Sequence, residues 1–149
     1  MSLEKQINDD IKAAMLAKEK TRLESLRAIK AAILLEKTKD GAETIADEAV
    51  VKIIQKLVKQ RKESAEIYQQ QNRPELAENE LAEIAGMEPY LPKQLSEEEI
   101  EAAVKGVIAQ VGASGPQDMG KVMGAATKQL AGQADGRVIS EMVKRLLNQ

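Results

Sequence analysis

EPYLPKQLSEEE, residues Glu88–Glu99, is the stretch whose reading decides the fold. Pro89 and Pro92 stand three apart. Each fixes its own φ and biases the residue before it towards extended backbone. A helix running through Glu88–Pro92 is therefore not expected. Ser96 followed by Glu99 is a capping box, in which the hydroxyl takes the N3 amide and the carboxylate reaches back to the N-cap amide. One helical set ends before this stretch and another starts after it, so a domain boundary is placed here, giving 1–91 and 92–149.

Working back towards the N-terminus, helical periodicity continues almost without a gap. Leu3, Ile7, Ile11 and Met15 form a four-residue ladder, and Leu23, Leu26, Ile29 and Ile33 a second stripe. Lys37 to Thr44 reads as a turn around Asp40-Gly41. Thr44 with Asp47 resembles an N-cap with a carboxylate three residues on. Val50, Ile53, Ile54 and Leu57 make a third stripe, on a helix predicted to reach about Gln70. Asn72-Arg73-Pro74 breaks the pattern, and Pro74 suits the first turn of a fourth helix. That helix carries Leu76, Leu81 and Ile84, with Gly86 expected to end it. Glu75, Glu78, Glu80 and Glu83 read as its solvated face.

Forward from Ser96, a helix shows Ile100, Val104, Val107, Ile108 and Val111. Gly112 to Gly115 is a loop. Pro116 opens a helix with Met119, Val122, Met123, Ala126 and Leu130 on one face, ended by Gly132. Asp135 caps a last helix bearing Val138, Ile139, Met142, Val143, Leu146 and Leu147. The fold class is all-α: an N-terminal domain of about four helices, then a C-terminal three-helix bundle.

Composition agrees. The chain has 149 residues with no Trp, Phe, Cys or His, and tyrosine only at 68 and 90. Its core must be aliphatic, and its Ala, Leu, Glu, Lys and Gln favour helix. Without cysteine there are no disulfides, thiolate nucleophiles or Cys-ligated zinc. Without histidine the commonest general base and metal ligand is missing. No Walker loop or G-x-G-x-x-G is present. Neither a catalytic residue nor a metal or cofactor is therefore expected. No apolar run reaches the ~18 residues of a membrane span, and the polar, amphipathic Met1 to Ile11 has no signal-peptide core. A cytoplasmic protein with no membrane contact is expected.

The net charge of −2 argues against nucleic-acid binding by bulk positive charge. A local patch is the alternative. From Ala102 onward, Lys105, Lys121, Lys128, Arg137, Lys144 and Arg145 face only Asp118, Asp135 and Glu141, leaving +3. Lys121 and Lys128 are two turns apart along one side of their helix. Arg137, Lys144 and Arg145 fall opposite an apolar stripe. These five cations are the candidate phosphate contacts, and an ordinary solvated face is the competing reading. Gly120 and Gly124 form a G-x-x-x-G, read as close helix packing within a small bundle. Glu97-Glu98-Glu99 cannot converge on one ion from one helix turn and reads as capping. Gly136 after Asp135 reads as a plain N-cap turn. Arg61 lies on the side of Val50, Ile54 and Leu57, with Tyr68 two turns later. Such a charge must pair internally, snorkel or meet a partner, so Arg61 and Tyr68 are candidate partner-interface residues. With two tyrosines in all, stacking readout of unpaired bases is not expected.

Arg61-Lys62-Glu63-Ser64 with Tyr68, then Tyr90-Leu91-Pro92-Lys93-Gln94-Leu95-Ser96-Glu97-Glu98-Glu99, Asp118 to Gly124, and Ala134-Asp135-Gly136-Arg137-Val138 resemble the signature of the YqeY family. That family is related to the tail of the tRNA-dependent amidotransferase B subunit. The resemblance implies a helical domain followed by a three-helix bundle. In the larger relatives the tail helps hold tRNA, so the resemblance implies a tRNA contact at Lys121, Lys128, Arg137, Lys144 and Arg145. The catalytic part of the B subunit has no counterpart here, so no transamidation activity is carried over. The leading expectation is a non-catalytic tRNA-binding module. The second is a module that docks an aminoacyl-tRNA synthetase or an amidotransferase subunit. The third and weakest, an amidotransferase in its own right, lacks the residues for it.

Overall fold

The computed structural model describes residues 2–148. The expected all-α class is met, with seven α-helices and two short 3-10 turns among these residues. The chain divides into two compact units, one ending at Leu91 and the other starting at Pro92.

The first unit holds α1 (Leu3–Ala17), α2 (Lys20–Asp40), α3 (Asp47–Gln70) and α4 (Pro74–Met87). Its core is aliphatic apart from Tyr90: Ile7, Leu26, Ile29, Ile33, Val50, Ile54, Val58, Ile84 and Met87 are buried together. In α1 the four-residue ladder fails at its end. Each four-residue step advances about 40° round the helix, so Met15 has turned out to 52% exposure and Ala14 takes the core position. α2 runs through the first four residues of the expected turn, Lys37 to Asp40, and Gly41 then takes a left-handed conformation with φ 64°. That conformation costs glycine little, and it closes the last helical turn.

Two capping expectations part company. Ser96 and Glu99 form the complete capping box on α5. Its hydrogen bonds, and the ion pair to Lys93, hold the Glu99 carboxyl below the usual glutamate value. The box read at Thr44 and Asp47 does not form. Ala46 occupies the N-cap of α3 without a side-chain cap, and the Asp47 carboxylate instead accepts the free amide of Leu3 at 2.9 Å. The carboxylate still satisfies a helix N-terminus, but that of α1.

α4 continues through Gly86 to Met87. Here glycine is a packing residue and not a stop. A Cβ on Gly86 would lie 2.5 Å from Oγ and 2.7 Å from Cβ of Ser25 on α2. Ser25 is fully buried, and its hydroxyl is placed to donate to the carbonyls of Glu83 (2.9 Å) and Thr21 (3.2 Å). Leu81, expected on the apolar stripe of α4, is 47% exposed; Ala77, Ile84 and Met87 are the buried residues.

Glu88–Tyr90 is a 3-10 turn and not the extended segment that two prolines suggest, with extended backbone returning at Leu91. Pro89 fits the turn because its fixed φ suits it and its missing amide leaves nothing unpaired. The turn folds Tyr90 into the core, where its hydroxyl donates to Asp10 on α1 at 2.6 Å.

The second unit packs α5 (Glu97–Val111), α6 (Met119–Gln129) and α7 (Gly136–Leu147), with a 3-10 turn at Pro116–Asp118 leading into α6. Ile100, Val104, Val107, Val122, Ala126, Leu130, Ile139, Met142, Val143 and Leu147 form its core.

Gly86→Ala adds a methyl where α2 and α4 touch, and is expected to cost about 1–3 kcal/mol. This outweighs the helix-propensity gain of about 1 kcal/mol, and urea denaturation would measure the net loss. The Tyr90 phenol is pushed up to about 12, first by burial and then by its bond to Asp10, with Arg22 opposing. Its folded pKa exceeds the ordinary value of 10, so its contribution to stability is complete below pH 10. It is lost as pH rises through the folded pKa, because the unfolded chain ionises first. An absorbance titration of the Tyr68→Phe variant isolates Tyr90. A midpoint at the ordinary tyrosine value in the folded protein would contradict this account.

Candidate nucleic-acid interface

The helices of the second unit are fixed by residues at its entry. The Leu95 amide donates to the Gln133 carbonyl at 2.9 Å. The Gln94 side-chain amide donates to the carbonyls of Pro92 (2.8 Å) and Gly132 (2.7 Å). Gln133 returns a bond to the Lys93 carbonyl at 3.3 Å. The Pro92–Leu95 segment thus braces the turn between α6 and α7, the two helices that carry the candidate cations. Asp118 accepts the Ser114 amide at 2.9 Å and tightens the entry to α6.

All five cations, Lys121, Lys128, Arg137, Lys144 and Arg145, are exposed. They divide by residue type. Arg137 pairs with Glu141 at 3.4 Å, one turn along α7. Arg145 approaches Glu101 on α5 at 3.5 Å and donates to Met142 Sδ at 2.8 Å. Glu101 also faces Lys105 at 3.4 Å. Among the described residues no ion pair engages Lys121, Lys128 or Lys144. The count from Ala102 onward stops one residue short of Glu101 and so misses the carboxylate that ties α5 to α7. From Pro92 to the C-terminus seven cations meet seven carboxylates. The positive character of this unit is therefore local and not net.

The G-x-x-x-G reading is overturned. Gly120 and Gly124 are exposed, and a Cβ at either would meet nothing within 4 Å. They do not bring helices together. Gly124 lies about 60° round the helix from Lys121, so a strip of bare backbone borders the lysine edge of α6. Gly136 follows a plain N-cap: the Asp135 carboxylate accepts the Arg137 amide at 2.9 Å.

Arg61 and Tyr68 lie on α3 of the first unit, both half-buried. Arg61 takes the internal pairing. Its Nε donates to Glu83 on α4 at 3.0 Å and its Nη1 to the Leu57 carbonyl at 3.2 Å. Glu83 therefore leaves the solvated acidic face assigned to it. A cleft of about 310 Å³ in this unit is lined by Arg22, Ala82, Ala85, Gly86, Pro89 and Tyr90. Its polar groups have internal partners, Arg22 in Glu19 and Tyr90 in Asp10. Among the described residues no group of three or more carboxylates could hold a metal ion, and no helix is long and apolar enough to cross a membrane.

Two aliphatic helical units, the second bearing exposed cations on each of its three helices, define the class. The model of the Yqey-like protein family matches residues 4–147, and the chain belongs to that family. Three curated fungal proteins are similar to it, each called Altered inheritance of mitochondria protein 41, mitochondrial. The one from Pyrenophora tritici-repentis is 28% identical over 145 residues, 95% of this chain and 79% of its own. That from Lachancea thermotolerans is 29% identical, over 93% of this chain and 75% of its own. That from Clavispora lusitaniae is 32% identical, over 81% and 69%. The names of these relatives place them in mitochondria, and this overturns the cytoplasmic expectation. The physical reason is that a missing apolar core excludes a secretory signal only. Mitochondrial addresses are amphipathic and polar, and hydropathy does not detect them.

Proposed function

We propose that this chain is a non-catalytic module that binds tRNA by its phosphate backbone through the three C-terminal helices. The observation that carries the reading is the set of exposed lysines, Lys121, Lys128 and Lys144, that no carboxylate engages among the described residues. Such ammonium groups are available to phosphates at once, whereas the guanidinium groups of Arg137 and Arg145 each stand beside a carboxylate in a loose, exposed pair. The glycines support it. An exposed helical glycine costs about 1 kcal/mol relative to alanine, and no internal contact requires Gly120 or Gly124. Bare backbone beside Lys121 and Lys128 lets a sugar-phosphate strand approach closely. The resemblance of Asp118 to Gly124 to the amidotransferase tail supports the same ligand.

Aromatic scarcity narrows the mode. Tyr90 is buried and Tyr68 half-buried in the first unit, and residues 92–149 hold no aromatic side chain, so base stacking has no platform beside the cations. Recognition of a folded RNA by shape and backbone remains. The acidic balance of the whole chain discourages indiscriminate binding to polyanions.

The test is a titration of purified protein with total tRNA at low and physiological salt, with duplex DNA as control. Salt-sensitive binding that prefers tRNA is expected. Charge reversal at Lys121, Lys128 and Lys144 together should lower the salt slope by about two to three and weaken binding at least tenfold, with helical content unchanged. Absence of binding at low salt, or a triple variant that binds like the parent, would transfer the function to docking of a protein partner.

A further inference from the structure

One oxygen of Glu101 faces cations from two helices. Oε1 lies 3.4 Å from Nζ of Lys105, one turn along α5, and 3.5 Å from Nη2 of Arg145 on α7. The Glu101 side chain is 33% exposed, while Lys105 and Arg145 are 61% and 51% exposed. Both separations belong to loose ion pairs and not to short charge-assisted hydrogen bonds. The Arg145 Nη2 gives its hydrogen bond to Met142 Sδ. An anionic oxygen thus sits between an ammonium and a guanidinium, open to solvent, on the unit that bears the three free lysines.

We infer that Glu101 occupies, in the free protein, a position that a phosphate of the bound RNA takes in the complex. Lys105 then joins the interface, and Glu101 acts as a built-in competitor that sets its affinity. The inference rests on the tRNA reading above. Exposed ion pairs are weak and cost side-chain entropy to hold, so a polyanion anchored elsewhere by Lys121, Lys128 and Lys144 readily displaces the carboxylate. The displaced Glu101 still carries its charge close to the strand. It therefore opposes binding twice, by engaging Lys105 and Arg145 and by repelling the phosphate.

Glu101→Gln keeps the shape of the side chain and removes both effects. It is expected to tighten total-tRNA binding by about three- to tenfold at low salt and to steepen the salt slope by about one. Two comparisons separate this from a mere change in net charge. Glu98→Gln makes the same change on the first turn of the same helix and should give little gain. Lys105→Gln should weaken the Glu101→Gln protein more than it weakens the parent. Circular dichroism and thermal melting establish that each variant is folded. A Glu101→Gln protein no tighter than Glu98→Gln, or a gain that survives in the Glu101→Gln/Lys105→Gln double variant, would overturn the inference while leaving the parent's salt-dependent tRNA binding in place. A parent that fails to bind tRNA at low salt would overturn the functional reading itself.

Discussion

Burial of aliphatic side chains where helices cross has to carry this fold, because the chain has no Trp, Phe or Cys and apolar burial is the dominant favourable term in folding. Aliphatic side chains are short, so helices must approach closely to exclude water between them. The contacts are accordingly made over small residues. Ala14, Ser25, Ala65, Ala77 and Ala126 are all at most 3% exposed, and Gly86 meets Ser25 without a side chain of its own. This arrangement leaves little slack, since a single added methyl at such a crossing has no void to fill.

The same constraint explains which parts of the fold were legible from the residues. Stripes of Leu, Ile and Val identified the helices because a buried face repeats at the helical period. The small residues that let those faces meet carry no such signal. Met15 stood at the end of the ladder, yet the 40° drift of each four-residue step gave its core position to Ala14. Gly86 read as a stop because local rules know glycine as a terminator. Its actual constraint is a serine sixty-one residues away. Asp47 likewise had the sequence of a cap, and only the fold supplied the Leu3 amide that it caps. For Asp47 the local chemistry was correctly recognised and a tertiary partner reassigned its target, whereas at Met15 and Gly86 the local reading itself failed.

The candidate site shows the same division. The exposure of five cations followed from helix periodicity, because each falls away from an apolar stripe. Their pairing did not, because Glu101 and Arg145 are forty-four residues apart and meet only through the packing of α5 on α7. Glu101 and Lys105 stand one turn apart on α5, but nothing in the sequence marks that carboxylate as shared with α7. The Gln94 side chain is the reverse case. Its motif was legible and its physical role was not. It braces the turn between the cation-bearing helices through the Gly132 carbonyl.

The distribution of charge types on the second unit bears on the kind of recognition it suits. Its two arginines, whose forks are the usual route to sequence readout at base edges, each stand beside a carboxylate in the free protein. The cations that no carboxylate engages among the described residues are Lys121, Lys128 and Lys144, point charges on flexible stems that follow a contour without imposing a fixed geometry. With seven carboxylates balancing seven cations, the unit has no net attraction for polyanions in general. A ligand gains only by placing several negative charges against particular lysines at once. A rigid, folded polyanion can meet that requirement, whereas a flexible chain must first be ordered along the surface. Specificity of this kind resides in the spacing of phosphates and not in the identity of bases.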